Sequence, residues 1–218
     1  MKKMNYKGFD IEIEQDTDAE SPRDWDNLGT MWCWHNRYHL GDWDDMPNGA
    51  KYITRYSDED PVVLARTWIK NKNPVITMPL YLFDHSGLSI STRPYSCHWD
   101  SGQVGYIFIT REAVFREYGW KRITKQRREQ LEEILIAEVD QYDTYLKGDV
   151  WGYIISRHDQ LDSCWGYYGY AYCLDEAKSF VDYLVAKEED DKVNDAVRGF
   201  VRACRQDAIN SMTSSMFI

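Results

Sequence analysis

The side chains best suited to chemistry in this 218-residue sequence lie in two turns between residues 84 and 100. The first turn places Asp84 beside His85, and the second places Cys97 close to Asp100. A thiol becomes a nucleophile when a neighbouring imidazole takes its proton, and a carboxylate can orient that imidazole. These residue types therefore indicate a Cys/His-dependent hydrolase or modifying enzyme as one alternative. The competing interpretation is two ordinary loops with local hydrogen bonds, because sequence alone does not show that the groups are within reach of one another.

Three predicted strands carry these turns. Each is a short run of apolar and β-branched residues bounded by turn residues, at about Thr77–Asp84, Leu88–Thr92 and Gln103–Thr110. Short connections between consecutive strands favour antiparallel pairing. Helices with recognisable caps are predicted at Pro61–Lys70, at 111–118 and at Lys125–Lys147.

The two ends of the chain add further elements. Alternating apolar and acidic residues predict a strand over Tyr6–Gln15, and an aromatic-rich run predicts another over Leu28–Tyr38. After the long helix we predict strands at Val150–Arg157 and Cys164–Cys173, a helix from Asp175, an acidic break at 188–191, a last helix to about Ile209 and a loose tail from Ser211.

These elements predict an α+β fold, with a mostly antiparallel sheet, helices packed on one face and a helical C-terminus. Residues 1–187 would form the α+β domain. Residues 188–218 would form a C-terminal helix and tail packed on that domain.

Cys33, His35 and His39 are candidate metal ligands, because they share one face of the predicted strand. Asp42, Asp44 and Asp45 follow and carry oxygen ligands. The spacing matches neither a zinc finger nor a calcium-binding loop. We therefore expect an aromatic strand without a metal, and no cofactor.

A basic patch begins the long helix. Its cations are Lys121, Arg122, Lys125, Arg127 and Arg128. Five cations beside Trp120 can grip phosphates, which makes a nucleic-acid-binding protein a second alternative. The competing interpretation is that these cations surround a solvent-exposed helix start and pair with nearby acids. Another is that they contact an acidic loop of a second copy of the chain in a homo-oligomer. The net charge of −10 favours these readings over direct nucleic-acid binding.

Acidic residues are concentrated in two parts of the chain. Residues 1–60 have a net charge of −7, and residues 138–195 have a net charge of −9. The carboxylates that we assign to a partner-binding surface are Asp10, Glu12, Glu14, Asp16, Asp18, Glu20, Asp24 and Asp26. Carboxylates in a row imitate phosphates and compete for a basic surface on another protein. The competing interpretation is that the charge only keeps the protein in solution.

Composition indicates where the protein is located and what kind of partner it has. Aromatic residues make up 15% of the chain, and Tyr and Trp are common anchors of protein interfaces. The five cysteines contain no Cys-x-x-Cys pair, which is typical of reduced thiols. We see no apolar run long enough for a membrane span and no signal peptide, so we expect a cytoplasmic protein without a membrane partner.

Four short motifs lie in the first two thirds of the chain. They are DNLGTM at Asp26–Met31, PLYLFDHSG at Pro79–Gly87, WDSGQVG at Trp99–Gly105 and EYGW at Glu117–Trp120. They resemble an uncharacterised family of phage and mobile-element proteins, over about residues 5–155. The resemblance implies a viral or mobile-element origin and assigns chemistry to no residue.

Small acidic proteins of such origin often antagonise host defence, as anti-CRISPR and antirestriction proteins do. This step is an analogy about genomic setting. It makes our leading expectation a phage-type acidic protein that binds and inhibits a host nucleic-acid-handling defence protein. The expected partner is a host protein with a basic nucleic-acid-binding surface.

Overall fold

The computed structural model describes residues 2–35, 37–42, 46, 60–158 and 160–214. Within these residues the strands are β1 (Lys2–Tyr6), β2 (Phe9–Gln15), β3 (Thr30–Cys33), β4 (Pro74–Asp84), β5 (Leu88–Ser91), β6 (Ser101–Thr110), β7 (Val150–Arg157) and β8 (Gln160–Tyr168). The helices are α1 (Pro61–Asn71), α2 (Arg111–Tyr118), α3 (Lys125–Leu146) and α4 (Tyr170–Ser214). Two antiparallel sheets with these helices make an α+β fold, which confirms the predicted class.

Contacts group the chain into two compact units. One comprises residues 1–14, 152–165 and 170–218, and the other comprises residues 15–151 and 166–169. This grouping of contacts does not test the predicted division at residue 187, which stays a prediction.

The first sheet has the order β1-β2-β7-β8. In β2 the side chains of Phe9, Ile11 and Ile13 are buried and the acids between them are not, as the alternation predicted. The partner strand β1 was not predicted, because its residues lack alternation. It pairs with β2 through a two-residue turn in which Lys7 and Gly8 have φ values of 51° and 84°. Positive φ at both central residues is the preferred geometry of such a hairpin turn.

The second sheet has the order β3-β6-β4-β5. Its central strand β6 is buried from Val104 to Ile109. Ile107 and Ile109 pack in one core cluster with α3, whereas Tyr106 and Phe108 pack in a second cluster with α1. Successive strand residues point to opposite faces, so this sheet carries a helix on each face. The sequence predicted helices on one face only, and in this detail it was wrong.

Local signals predicted the helices of the second unit well. The side chains of Asp60, Thr110 and Thr124 accept backbone N–H groups at the starts of α1, α2 and α3. Gly119 ends α2 in the left-handed conformation, with φ of 66°. The predicted stripe of α3 is buried at Leu131, Leu135, Val139 and Tyr142.

Four predictions about segments were wrong. The strand placed at Leu28–Tyr38 covers only Thr30–Cys33, and the strand placed at Cys164–Cys173 ends at Tyr168, before α4 begins. The acidic break at 188–191 does not exist, because α4 continues through it. That stretch contains no Gly or Pro, and Glu is a good helix former. The tail predicted from Ser211 is helical to Ser214, and residues 215–218 lie outside the described residues.

None of the described helices combines the length and the apolar character that crossing a bilayer requires.

Candidate functional site

Residues 16–26, called the acidic loop below, have a backbone that is held at several points. The Asp16 N–H donates to the Val150 carbonyl oxygen at 2.8 Å, and the Tyr168 hydroxyl donates to the Glu20 carbonyl oxygen at 2.7 Å. Ser21 caps a short 3-10 turn over Pro22–Asp24. The Asn27 amide donates to the Pro22 carbonyl oxygen at 2.8 Å, which closes the end of the loop. The loop is therefore a fixed feature of the second unit.

Arg23 anchors the middle of the acidic loop in the protein interior. Its side chain is 3% exposed and forms ion pairs with Asp42 at 2.8 Å and with Glu138 at 3.0 Å. Its guanidinium also donates to the Gly29 carbonyl oxygen at 2.7 Å. Burial opposes the charged form, but the hydrogen bonds and charges of Asp42 and Glu138 outweigh it and raise the pKa of Arg23. Arg23 therefore stays charged and holds the loop in place.

Glu138 extends this anchor from α3 to the DNLGTM motif. Its carboxylate accepts the backbone N–H groups of Leu28 at 2.9 Å and Gly29 at 3.1 Å. A Cβ atom on Gly29 would lie 2.3 Å from Leu135 Cδ2, so a larger residue here would have to displace the Leu135 side chain. The motif thus brings the backbone after the acidic loop against the buried face of α3.

The acidic loop exposes both carboxylates and an aromatic ring. Asp18, Glu20, Asp24 and Asp26 are exposed, and Trp25 is 42% exposed. Within the part of the chain that the structure describes, none of these four carboxylates forms an ion pair. The Trp25 ring meets Tyr168 edge-on, with ring centroids 5.4 Å apart. The ring is thus supported on one side and open to a partner on the other.

An open pocket of about 410 Å³ lies beside Trp25. The residues that line it are Arg23, Asp24, Trp25, Asp26, Asn27, Gly29, Thr30, Gly41, Asp42 and Arg116. Three carboxylates and two guanidinium groups make its wall polar. Such a pocket suits a charged, hydrogen-bonding group better than an apolar one.

The three predicted binding carboxylates on β2 differ from those in the acidic loop. Asp10 accepts a hydrogen bond from the Asn5 amide at 2.8 Å, and Glu12 forms an ion pair with Lys3. Glu14 is half-buried. These three lie in the first unit and the acidic loop lies in the second. Asp16 in the acidic loop is also engaged, since it is half-buried and accepts the Asp18 N–H at 3.1 Å. Of the eight predicted residues, the other four loop carboxylates are therefore the ones free to attract a basic partner.

The predicted catalytic residues converge on Asp100. His85 Nδ1 lies 3.4 Å from Asp100 Oδ2, and the Cys97 thiol donates to the same oxygen at 3.5 Å. The carboxylate of Asp84 instead faces Arg37 at 2.5 Å. A nucleophilic thiol gives its proton to the imidazole, but here the thiol and the imidazole both meet the carboxylate. The structure thus brings Cys97, His85 and Asp100 together, but the thiol donates to the carboxylate and not to the imidazole that would have to accept its proton. Catalysis stays a prediction.

Most of the basic patch is engaged within the chain. Arg127 lies over the Trp120 ring, 4.5 Å from its centroid, and donates to the Arg122 carbonyl oxygen at 2.9 Å. Arg128 pairs with Glu132 at 3.1 Å, and Lys125 pairs with Glu129 at 3.7 Å. Lys121 and Arg122 are exposed. These contacts favour the interpretation of a helix start that pairs with nearby acids, and nucleic-acid binding stays a prediction.

The candidate metal ligands face different surroundings. Cys33 is buried, which raises the pKa of its thiol. Burial and the positive charge of Arg37 lower the pKa of His35, whose ring stacks on Tyr38. Asp42 is taken by Arg23, and Asp44 and Asp45 lie outside the described residues. The described ranges contain no group of three His, Cys, Asp or Glu side chains arranged to hold a metal ion.

Sequence reasoning missed Arg23 and Glu138. Arg23 is the one cation between Asp10 and Asp26, which was a usable sign of a special role. Glu138 lies next to the buried position of Val139 in α3, but nothing local indicates its partner.

Comparisons with protein-family models, curated proteins and solved structures gave no match. The resemblance carried by the four motifs therefore stays a prediction.

Proposed function

We propose that this chain is a phage-type acidic binding protein of the host cytoplasm that inhibits a nucleic-acid-handling defence protein. It would do so by occupying the basic surface with which that protein holds nucleic acid. The observation that carries the proposal is the acidic loop, whose exposed carboxylates form no ion pair among the described residues and which also exposes Trp25.

The loop has the physical properties of an interface centre. Tryptophan is enriched among the residues that dominate binding energies, and Trp25 is flanked directly by Asp24 and Asp26. Because buried Arg23 already fixes the backbone, binding would cost little ordering of the loop. Unpaired carboxylates at fixed positions attract a basic surface over a distance that salt shortens.

The pocket beside Trp25 suggests how a partner is seated. Asp24 and Asp26 line it with carboxylates that form no ion pair among the described residues, whereas Asp42, which also lines it, is held by Arg23. An arginine or lysine that normally contacts a phosphate would find carboxylate acceptors there, and an arginine would be bound in two-pronged geometry. The proposed partner is therefore one whose nucleic-acid groove contains exposed arginine.

The first experiment is a capture of partners from host-cell extract. Tagged protein is incubated with extract at low and at high salt, and retained proteins are identified by mass spectrometry. We expect a basic nucleic-acid enzyme that is retained at low salt and released at high salt. Retention that does not change with salt would contradict recognition through charge.

The alternative is a cysteine-dependent enzyme, and one observation favours it. Cys97 and His85 both lie within 3.5 Å of one oxygen of Asp100. The His85 side chain is 66% exposed, so its imidazole has room to turn towards the thiol. If Cys97→Ala keeps the full biological effect of the protein, the enzyme is excluded.

A further inference from the structure

A pocket of about 360 Å³ lies in the second unit, between α1 and the face of the second sheet on which α1 packs. Its volume falls in the usual range for small-molecule sites, about 300–1,000 Å³. Isoleucine and proline supply apolar surface, and the polar residues that line it are Arg66, Lys70, Thr77, Tyr81, Gln103 and Tyr106. It shares no lining residue with the pocket beside Trp25.

The floor of this pocket comes from β4 and β6. Thr77, Pro79 and Tyr81 alternate along β4 and therefore share one face of the sheet. Pro79 pairs with Tyr106 of β6, and Tyr81 pairs with Gln103. Tyr106 is 3% exposed, whereas Tyr81 and Gln103 are half-buried. The pocket thus has a covered end at Tyr106 and a more open end at Tyr81.

The wall that α1 supplies is positively charged. Arg66 and Lys70 are four residues apart and lie on one face of the helix. Neither forms an ion pair with a residue that the structure describes, and the described lining contains no carboxylate. The pocket is therefore locally positive in a chain whose net charge is −10, so it attracts an anion.

Buried Tyr106 holds the Arg66 side chain in position. Arg66 Nε donates to the Tyr106 hydroxyl oxygen at 2.6 Å. A guanidinium held through Nε presents its two Nη nitrogens as a planar fork, which matches two oxygens of one phosphate. The Tyr106 hydroxyl accepts from Arg66 and still has its own proton to donate. These donors are fixed before a ligand arrives, which lowers the cost of binding.

We propose that this pocket binds a nucleoside phosphate. Arg66 and Lys70 bind the phosphate, and the base lies against the Tyr81 ring at the open end. A lone phosphate would leave the Tyr81 ring and most of the volume unused, whereas a base has a flat face that stacks on an aromatic side chain. Thr77 and Gln103 offer hydrogen bonds to the sugar or the base. The Gln103 amide nitrogen donates to the Gly105 carbonyl oxygen at 3.3 Å, which leaves its amide oxygen as an acceptor.

This inference does not depend on the proposed function. The acidic loop is anchored to α3 through Arg23 and Glu138, and α3 packs on the opposite face of the second sheet from α1. Variants can therefore change the pocket without touching the acidic loop.

The first test is isothermal titration calorimetry of the full chain with AMP, GMP, CMP and UMP. We expect at least one of them to bind with a dissociation constant of about 1–100 µM. Inorganic phosphate should bind at least about fivefold more weakly, because it lacks the stacked base. The matching nucleoside should bind at least about tenfold more weakly, because it lacks the hydrogen bonds to charged groups. No binding of any of the four nucleotides, or phosphate binding as tight as nucleotide binding, would overturn the proposal.

The second test identifies the source of the ligand, since a free nucleotide and the end of a nucleic-acid strand present the same chemistry. A single-stranded hexanucleotide with a terminal phosphate is titrated beside the mononucleotide. Tighter binding of the hexanucleotide that R66Q/K70Q abolishes assigns the pocket to a strand end. Equal or weaker binding assigns it to a free nucleotide.

The third test locates the binding site with variants. R66Q/K70Q should weaken nucleotide binding at least about tenfold. Its matched control is K72Q/R111Q, which removes two exposed cations that do not line the pocket and should bind as the wild type does. Circular dichroism of each variant checks that the fold is intact.

Tyr81 gives a second, independent variant pair. Y81L should weaken nucleotide binding at least about fivefold, because stacking is lost, whereas Y81F keeps the ring and should bind as the wild type does. Nucleotide binding that R66Q/K70Q and Y81L leave unchanged, or that K72Q/R111Q weakens as much as R66Q/K70Q does, would show that the pocket is not the site.

Discussion

Arg23 donates two hydrogen bonds to the carboxylate of Asp42, at 2.8 and 2.9 Å, in a site where its own side chain is 3% exposed. A third hydrogen bond, to Glu138 at 3.0 Å, connects the same guanidinium to α3. This buried cluster joins the acidic loop to the helix that supports the second sheet. It explains how a segment with many like charges is held in one conformation.

Removing Arg23 should destabilise the fold. In Arg23→Met the carboxylates of Asp42 and Glu138 would remain largely buried without their cation, and breaking such a pair costs about 3–5 kcal/mol. The free energy of unfolding, measured by urea denaturation, should fall by that amount. The control is Arg93→Ala at an exposed arginine, for which we expect a change of less than about 0.5 kcal/mol. Equal effects of the two substitutions would show that the cluster is not a structural anchor.

A side chain at Gly29 should destabilise the fold. A Cβ atom there would lie 2.3 Å from Leu135 Cδ2 and 2.9 Å from Glu138 Oε2. Gly29→Ala should therefore lower the free energy of unfolding by about 1–3 kcal/mol, the usual cost of overpacking. The matched control is Gly102→Ala, since a Cβ on Gly102 meets no atom within 4 Å. Thermal denaturation of both variants decides the point, and a Gly29→Ala variant as stable as Gly102→Ala would contradict it.

Tyr168 should make the protein sensitive to alkali. Burial, together with the charges of Tyr145, Glu20 and Asp16, raises the pKa of Tyr168 from 10.0 to about 12. The folded state then keeps a proton that the unfolded state loses above pH 10, so stability is present below pH 10 and is lost as the pH rises towards 12.

The measurement is the free energy of unfolding across that pH range in the wild type and in Tyr168→Phe. We expect the variant to be less stable at neutral pH, because it loses the hydrogen bond to the Glu20 carbonyl oxygen. It should also lose less stability between pH 10 and pH 12. Parallel pH profiles for the two proteins would show that Tyr168 does not titrate in the way described.

The elements that could be predicted from sequence are those with local causes. Asp60, Thr110 and Thr124 each precede an apolar helical pattern, and each caps a helix in the structure. The acidic stretch at 188–191 does not interrupt α4, because a run of charge does not break a helix in the way that Gly or Pro does.

The candidate site was predictable only in part. The acidic loop was recognisable from its composition, but the pairing of Glu12 with Lys3 depends on the register of a hairpin whose first strand was missed. Arg23 meets Glu138 from 115 positions away in the chain. No local sequence pattern indicates such a contact. The sequence therefore identified the carboxylates but did not show which of them lack an ion pair within the chain.

The central claim is that the acidic loop binds a basic partner. The most direct measurement is capture from host-cell extract with the D24N/W25A/D26N variant. Its control is E117Q/E133Q, which removes the same number of charges at exposed positions of α2 and α3. The account predicts that the loop variant loses the salt-sensitive partner while the control retains it. If the loop variant retained that partner as well as the control does, the acidic loop would not be the binding site and the account would be wrong.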